Sequence, residues 1–400
     1  MARPSTLEFL KTESGAGALL AVAAIAAIVL ANSPWAASYF RFIDYPIAVR
    51  VGAFDQNRSV LSWTRDGLMA VFFLIVGLEI KFEVLRGEFS SPRRLALPIL
   101  AALGGMAGPA LVYLAINAGP GGTPGGWPIS TPTDVAFSLA ALGVFGRRLP
   151  ESLRLFLLTL AVADDLGAIV LIGVLYSTPI HPTALAGAVM GLAVLAALSR
   201  WKTAPRLLYA VGFVLVWAFT LQSGVNTSVA GFACALTVPI TARRGGQDNL
   251  LKTFMDGLHP YVAYGVLPLF AFVAAGFSLG QVGLRGVLSP VSMGVTFGLL
   301  VGKPLGVLGA SALAVALRFG RRPMGSNWLE LTGVALLCGA GFTMSFFLAA
   351  LAFPGAGPGA QGALRAAVIA GSMLSVMAGG AILSWARRRR VPVDSNHVQM

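Results

Sequence analysis

Apolar runs of membrane-spanning length follow one another through this 400-residue chain almost to its end, and that feature removes most folds from consideration. A bilayer core offers no partner to a bare backbone amide, so segments that cross it are helices or closed barrels. The runs here are near the length of a transmembrane helix, not the short alternating stretches of a barrel. With 56% hydrophobic and 11% charged residues, the chain reads as an all-α integral membrane protein of many spans. Apolar runs bounded by Gly, Pro and charge clusters place spans near 15–31, 63–81, 95–116, 127–146, 154–175, 183–199, 207–221, 224–240, 258–276, 290–317, 329–353 and 363–386, about twelve in all. The first run is long for a cleaved signal and is followed by another span, so it is read as retained.

The net charge of +13 does not point to nucleic acid, because the basic residues form small clusters between apolar runs and no continuous stripe. Arg3 and Lys11, Lys81 to Arg94, Arg147 to Arg154, Arg200 to Arg206, Arg243 to Lys252, Arg318 to Arg322 and Arg387 to Arg390 fall on every second connection. Connections 117–126, 176–182, 222–223 and 354–362 carry no Lys or Arg; the exceptions to the alternation are Arg41, Arg50, Arg58, Arg65 and Arg285. The positive-inside rule then puts both termini in the cytoplasm, which requires an even number of spans. One transporter-like domain covers 1–386, and 387–400 is read as a short basic cytoplasmic tail. Between the first two spans, IAVRVG followed by AFDQNR predicts a small β-hairpin near 46–58 outside the membrane, whose edge is a candidate dimer contact. Cys234 and Cys338 lie inside apolar segments and are read as packing residues.

The fifth span, LFLLTLAVADDLGAIVLIGVL, carries Asp164 and Asp165 side by side near its middle. A charged side chain at that depth costs about 2.5–3.5 kcal/mol on insertion scales, so two in succession need compensation or a purpose. Adjacent helical residues point about 100° apart, which lets one face a cavity while the other meets a neighbouring helix.

Two further spans are interrupted. Thr131-Pro132-Thr133-Asp134 breaks the fourth and supplies N-cap chemistry for the half-helix after it. The helix from Asp134 to Arg147 is only about 20 Å long, so the break lies within the membrane. In the eleventh, Gly339 and Gly341 stand about 14–17 Å beyond Glu330, again near mid-depth. The two broken spans run in opposite directions and occupy corresponding positions in the two halves, the expected signature of inverted repeats around a midplane site. Partial positive charge gathers where half-helix N-termini meet and partial negative charge where C-termini meet. Asp134 is placed to answer the first, and Lys303, inside the tenth span, answers the second or pairs with Asp164.

Carboxylates, a lysine and freed backbone carbonyls at mid-depth offer hard oxygen ligands to a small cation. Burial disfavours the charged form of carboxylates and lysines alike, so a proton and a cation can compete for one site. Competition of that kind yields exchange without nucleotide or redox machinery, and neither a Walker A loop nor a Cys/His metal cluster is present in the sequence. An ion channel, an organic-anion symporter and an intramembrane aspartyl protease remain open at this point. The last would need Asp134 to share a proton with one of the paired aspartates.

Several long motifs in order resemble the bacterial NhaA-type sodium/proton antiporters: MAVFFLIVGLEIK (69–81), TPTDVAFSLAALGVFG (131–146), LAVADDLGAI (160–169), LHPYVAYGVLPLFAF (258–272), VGKPLG (301–306) and CGAGFTMSFFLAALAF (338–353). That family is itself a standard example of the inverted-repeat architecture. The resemblance implies electrogenic export of Na+ or Li+ against entering protons at the inner membrane, activated at alkaline pH, with no cofactor. It implies Na+ at Asp164 and Asp165, with Asp165 the more direct ligand and Asp164 the partner of Lys303; Thr133, Asp134, Gly339 and Gly341 support the site. Glu79, Lys81, Glu83 and His259 match pH-sensing positions, although Phe82 and the Met255-Asp256 pair depart from the family pattern, which leaves the set point open. The hairpin 46–58 matches the family's homodimer contact.

Overall fold

A computed structural model describes residues 13–52, 54–86, 92–146, 149–177, 179–201, 205–240 and 250–389. The chain is mostly helical, and its one sheet among the described residues is the hairpin. After α1 (Glu13–Ala31) and α2 (Ala36–Ile43), β1 (Pro46–Val51) pairs antiparallel with β2 (Phe54–Ser59), in a register running from Pro46↔Ser59 to Val51↔Phe54. Gly52 takes φ 58 in the turn, a conformation that costs a glycine little. The hairpin is tied to the helical body by the Arg58–Asp66 ion pair at 2.6 Å and by Trp63 Nε1 donating to Ile47 O at 3.0 Å.

Helix α3 runs over 60–86, α4 is Pro92–Ile116, and a 3₁₀ turn, Pro124–Ser130, precedes α5 (Val135–Phe145). Next come α6 (Glu151–Leu175), α7 (Pro182–Leu198), α8 (Arg206–Ser223) and α9 (Thr227–Thr237). The remaining elements are α10 (Leu250–Ala275), α11 (Leu279–Val287), α12 (Pro290–Ala316), α13 (Trp328–Leu337), α14 (Phe342–Ala352) and α15 (Pro358–Arg389). Helix α15 continues through Arg387 to Arg389, three residues past the expected boundary at 386. The side chains of Arg93 and Arg94, and residues Arg3, Lys11, Arg147, Arg148, Lys202, Arg243, Arg244 and Arg390, lie outside the described residues.

Six described helices are long and apolar enough to cross a membrane, or eight if two bent pairs each count as one span. The pairs are 15–31 with 36–43, bent by 118°, and 328–337 with 342–352, bent by 46°. The other expected spans are shorter or more charged: α5 and α9 have 11 residues each, α7 has 17, and Met69–Arg86 of α3 carries Glu79, Lys81, Glu83 and Arg86. Length and composition thus make this a multi-pass membrane protein.

Glycine sets how closely the central helices approach. A Cβ on Gly104 would strike Gly306 O, and one on Gly108 would strike Gly302 O, so α4 and α12 cross backbone to backbone. Helix α12 is wound as a π-turn over Gly298–Gly302, directly before Lys303 and Pro304. Pro304 has no N–H to give to the carbonyl four residues back, which favours a local change of winding. Helix α10 repeats the pattern, with a π-turn at Val262–Val266 ahead of Pro268.

Candidate functional site

The extended stretch before α5 meets the link between α13 and α14. Asp134 N donates to Ala340 O at 2.6 Å, joining the extended stretch before α5 to the link between α13 and α14. Asp134 is the N-cap of α5, accepting from Phe137 N at 3.0 Å through Oδ1. Its other oxygen accepts from Thr343 N at 3.1 Å and Thr343 Oγ1 at 2.5 Å, in the first turn of α14. One buried carboxylate therefore answers the positive ends of two helices, the placement that helix dipoles favour.

The opposite ends are served differently. Lys303 Nζ donates to Thr131 O, just past the 3₁₀ turn, and lies 2.5 Å from Asp164 Oδ2. At the C-terminal end of α13 the carbonyls accept from hydroxyls: Leu336 O from Ser375 Oγ at 2.7 Å, Leu337 O from Ser138 Oγ at 2.9 Å, and Cys338 O from Thr133 Oγ1 at 2.9 Å. Thr133 Oγ1 is also 2.8 Å from Asp164 Oδ2. Gly339 and Gly341 permit this closeness, since a Cβ on Gly339 would strike Leu299 O and Ser375 Oγ, and one on Gly341 would strike Ser345 Oγ.

Both aspartates sit in the middle of α6 and are buried. Asp164 faces Lys303 and Thr133, and the ion pair has no exposed side-chain surface. Asp165 turns to a cavity of about 430 Å³, shared with Thr133, Asp134, Glu79, Glu83 and His259. Asp165 Oδ1 and Asp164 Oδ1 are buried without a hydrogen-bond partner among the described residues. Unpaired buried oxygens are costly in a low-dielectric interior unless something positive, a proton or a cation, reaches them. The donor set near Asp165 is of carboxylate and hydroxyl oxygens, suited to a hard cation.

Of the sequence-derived candidates, Thr133, Asp134, Asp164, Asp165, Lys303, Gly339 and Gly341 come together at this meeting point, while Glu79, Glu83 and His259 stand on the cavity wall with Met255 and Asp256. Lys81 does not reach the cavity. Its Nζ donates to Leu236 O at 2.5 Å and Val238 O at 2.6 Å, capping α9 from outside. Sequence alone does not single out Thr343, Ser138 or Ser375. The one signal for Thr343 is a hydroxyl in the first turn after Gly-Phe in an otherwise apolar helix, and it is weak.

Known proteins match along nearly the whole chain. The model for the family described as Na+/H+ antiporter 1 matches residues 7–383. A Na(+)/H(+) antiporter NhaA of Pseudomonas putida (strain GB-1) is 42% identical over 381 residues, covering 95% of this chain and 97% of its own. A Na(+)/H(+) antiporter NhaA 2 of Pseudomonas savastanoi pv. phaseolicola is 44% identical over 384 residues, 95% of this chain and 96% of its own. The corresponding NhaA 2 of Saccharophagus degradans is 42% identical over 376 residues, with 94% and 98% covered. With most of its length matched and its buried acids gathered where the stretch before α5 meets the α13–α14 link, the chain belongs to the Na+/H+ antiporter 1 family, the NhaA antiporters.

Proposed function

We propose that the chain is a secondary antiporter that exports Na+ or Li+ in exchange for protons across a bacterial inner membrane, with the exchange site at Asp164 and Asp165. The observation that carries this reading is Asp165: a buried carboxylate on a cavity wall, with one oxygen unpartnered, next to an aspartate already held by Lys303. A cation in the cavity reaches Asp165, with Asp134 and Thr133 in the same wall, whereas Asp164 does not line it. Protonation of the carboxylates removes the charge that holds the cation, so the two ions exclude one another. If only an occupied site reorients, exchange is obligatory. More protons entering than cations leaving makes the exchange electrogenic.

In this reading the chain has twelve spans with both termini in the cytoplasm, the fourth (124–145) and eleventh (328–352) interrupted, and the two halves forming inverted repeats. The 3₁₀ turn with α5, and α13 with α14, support the two interrupted spans. Glu79, Glu83 and His259 line the cavity and are assigned to activation at alkaline pH, with Asp256 added because it shares that wall. The exposed edge of the hairpin 46–58 is assigned to a homodimer.

The test is recovery of a preformed acid-inside gradient in everted vesicles that lack other antiporters, with Na+, Li+ or K+ added at several pH values. Recovery with Na+ and Li+, strengthening above neutral pH and absent in Asp165→Asn, is expected. Sodium entry that leaves the proton gradient untouched would replace the exchanger with a channel.

A further inference from the structure

The loop between α12 and α13 takes no part in the exchange site, yet it builds a cavity of its own. Val315, Arg318 and residues 320–326 shape a surface cavity of about 520 Å³ whose wall carries Arg318, Arg321 and Arg322. No carboxylate lines it, and among the described residues none of these guanidinium groups is in an ion pair. Membrane topology asks for basic residues on such a loop, but it does not ask for three of them around one concavity.

The backbone adds an independent observation. Arg318 has φ 61, the one positive φ of a non-glycine residue among the described residues. It directly follows Leu317, the C-cap of α12, where glycine usually takes this conformation. An arginine kept there at a conformational cost holds a guanidinium on the cavity wall, and strain of this kind gathers at ligand sites. Arg322 lies over the Trp328 ring, 5.5 Å from its centre, which orients the guanidinium plane. Gly320, Pro323 and Gly325, the last with φ 72, shape the remaining wall.

The surroundings choose the ligand. The 27 residues of α12 cover about 40 Å, enough to cross a bilayer core, so the loop at its end sits at the membrane surface. Met324 lines the cavity and is 85% exposed, and Leu317, Phe319 and Trp328, which flank the lining residues in the chain, are exposed too, so the surroundings are apolar. We propose that this cavity binds the phosphate of an anionic phospholipid, with Arg318, Arg321 and Arg322 on the phosphodiester oxygens and Met324, with the exposed apolar residues around it, against the lipid's apolar part. Guanidinium groups match phosphate oxygens in forked geometry, and basic clusters at a membrane surface attract anionic lipid. A free phosphate has the same charged chemistry but leaves the apolar surroundings without a role. The bound lipid would brace the connection between the helix carrying Lys303 and α13.

The full-length protein in detergent, stripped of lipid, is incubated with phosphatidylglycerol, phosphatidylcholine or inorganic phosphate, and retained lipid is counted by native mass spectrometry. Phosphatidylglycerol should be retained over phosphatidylcholine, and should survive a large excess of inorganic phosphate. Retention should fall about tenfold in Arg321→Gln/Arg322→Gln but not in Arg387→Gln/Arg388→Gln, which loses the same charge elsewhere. Arg318→Gly, which relieves the backbone and leaves the fold intact, should also lower retention. Equal loss in the two double variants would overturn the site in favour of diffuse surface charge, displacement by inorganic phosphate would make the ligand a soluble phosphate, and unchanged retention in Arg318→Gly would remove the strained arginine from it.

Discussion

Replacing Lys303 with methionine removes one positive charge while keeping most of the side chain's volume, and the structure says what that leaves behind. The lysine is completely buried, 2.5 Å from Asp164 Oδ2, and also donates to Thr131 O. Removing one member of a buried pair costs about 3–5 kcal/mol because the other charge stays uncompensated. The orphaned Thr131 carbonyl adds about 1 kcal/mol. Together these approach the whole folding free energy of an ordinary domain, about 5–15 kcal/mol. The double variant Asp164→Leu/Lys303→Met removes both charges, and a buried pair exchanged for apolar groups is often neutral. Unfolding of the two single variants and the double variant in mixed micelles forms a cycle whose coupling measures the pair. The double variant should be more stable than Lys303→Met. A single-variant loss below about 1 kcal/mol, or additive losses, would refute the inference that Lys303 and Asp164 hold one another in place.

Four other outcomes are expected. Asp165→Asn should abolish sodium-driven proton movement in everted vesicles without lowering the melting temperature, since it removes a carboxylate with an unpartnered oxygen; retained exchange would move the site elsewhere. Thr343→Val should cost about 1.5–3 kcal/mol by losing a hydroxyl bond to a carboxylate, read by thermal unfolding, with Thr343→Ser recovering most of it. Gly339→Ala should cost about 1–3 kcal/mol in the same assay, because the added methyl meets Leu299 O and Ser375 Oγ; an unchanged melt would mean that this contact has slack. Lys81→Met should lower stability by about 1 kcal/mol through the lost caps on α9 and leave the pH profile of exchange in place, and a shifted profile at unchanged stability would assign Lys81 to the pH sensor.

The parts of this architecture that are readable in sequence are those where polarity interrupts an apolar background. Asp164, Asp165, Asp134 and Lys303 stand out because a charge inside a spanning run needs a partner, and the structure puts Lys303 beside Asp164 and Asp134 at two helix N-termini. The hairpin is readable from its alternation, since it lies outside the apolar runs. The hydroxyls of Thr343, Ser138 and Ser375 are not readable, because a lone Ser or Thr can bond its own helix and carries no fixed tertiary signal. Helix faces are equally hidden. Leu111 and Val174 are exposed and Leu157 and Val334 are buried, yet all are apolar, so hydrophobic periodicity cannot say which side meets protein. Lys81 groups by sequence with the acids of its own helix, while its partners lie more than 150 residues away on a neighbouring one.

Thr133 has a single hydroxyl hydrogen and two acceptors in reach, Asp164 Oδ2 at 2.8 Å and Cys338 O at 2.9 Å. It can serve one of them at a time. With Asp164 ionised, the hydrogen belongs with the carboxylate, and the Cys338 carbonyl, at the C-cap of α13, goes without it. A proton arriving on Asp164 reverses the direction: the acid becomes a donor, and the threonine's hydrogen is released to Cys338. The protonation state of one carboxyl group is thereby written into the hydrogen bonding of a helix end on another segment, by the rotation of one bond.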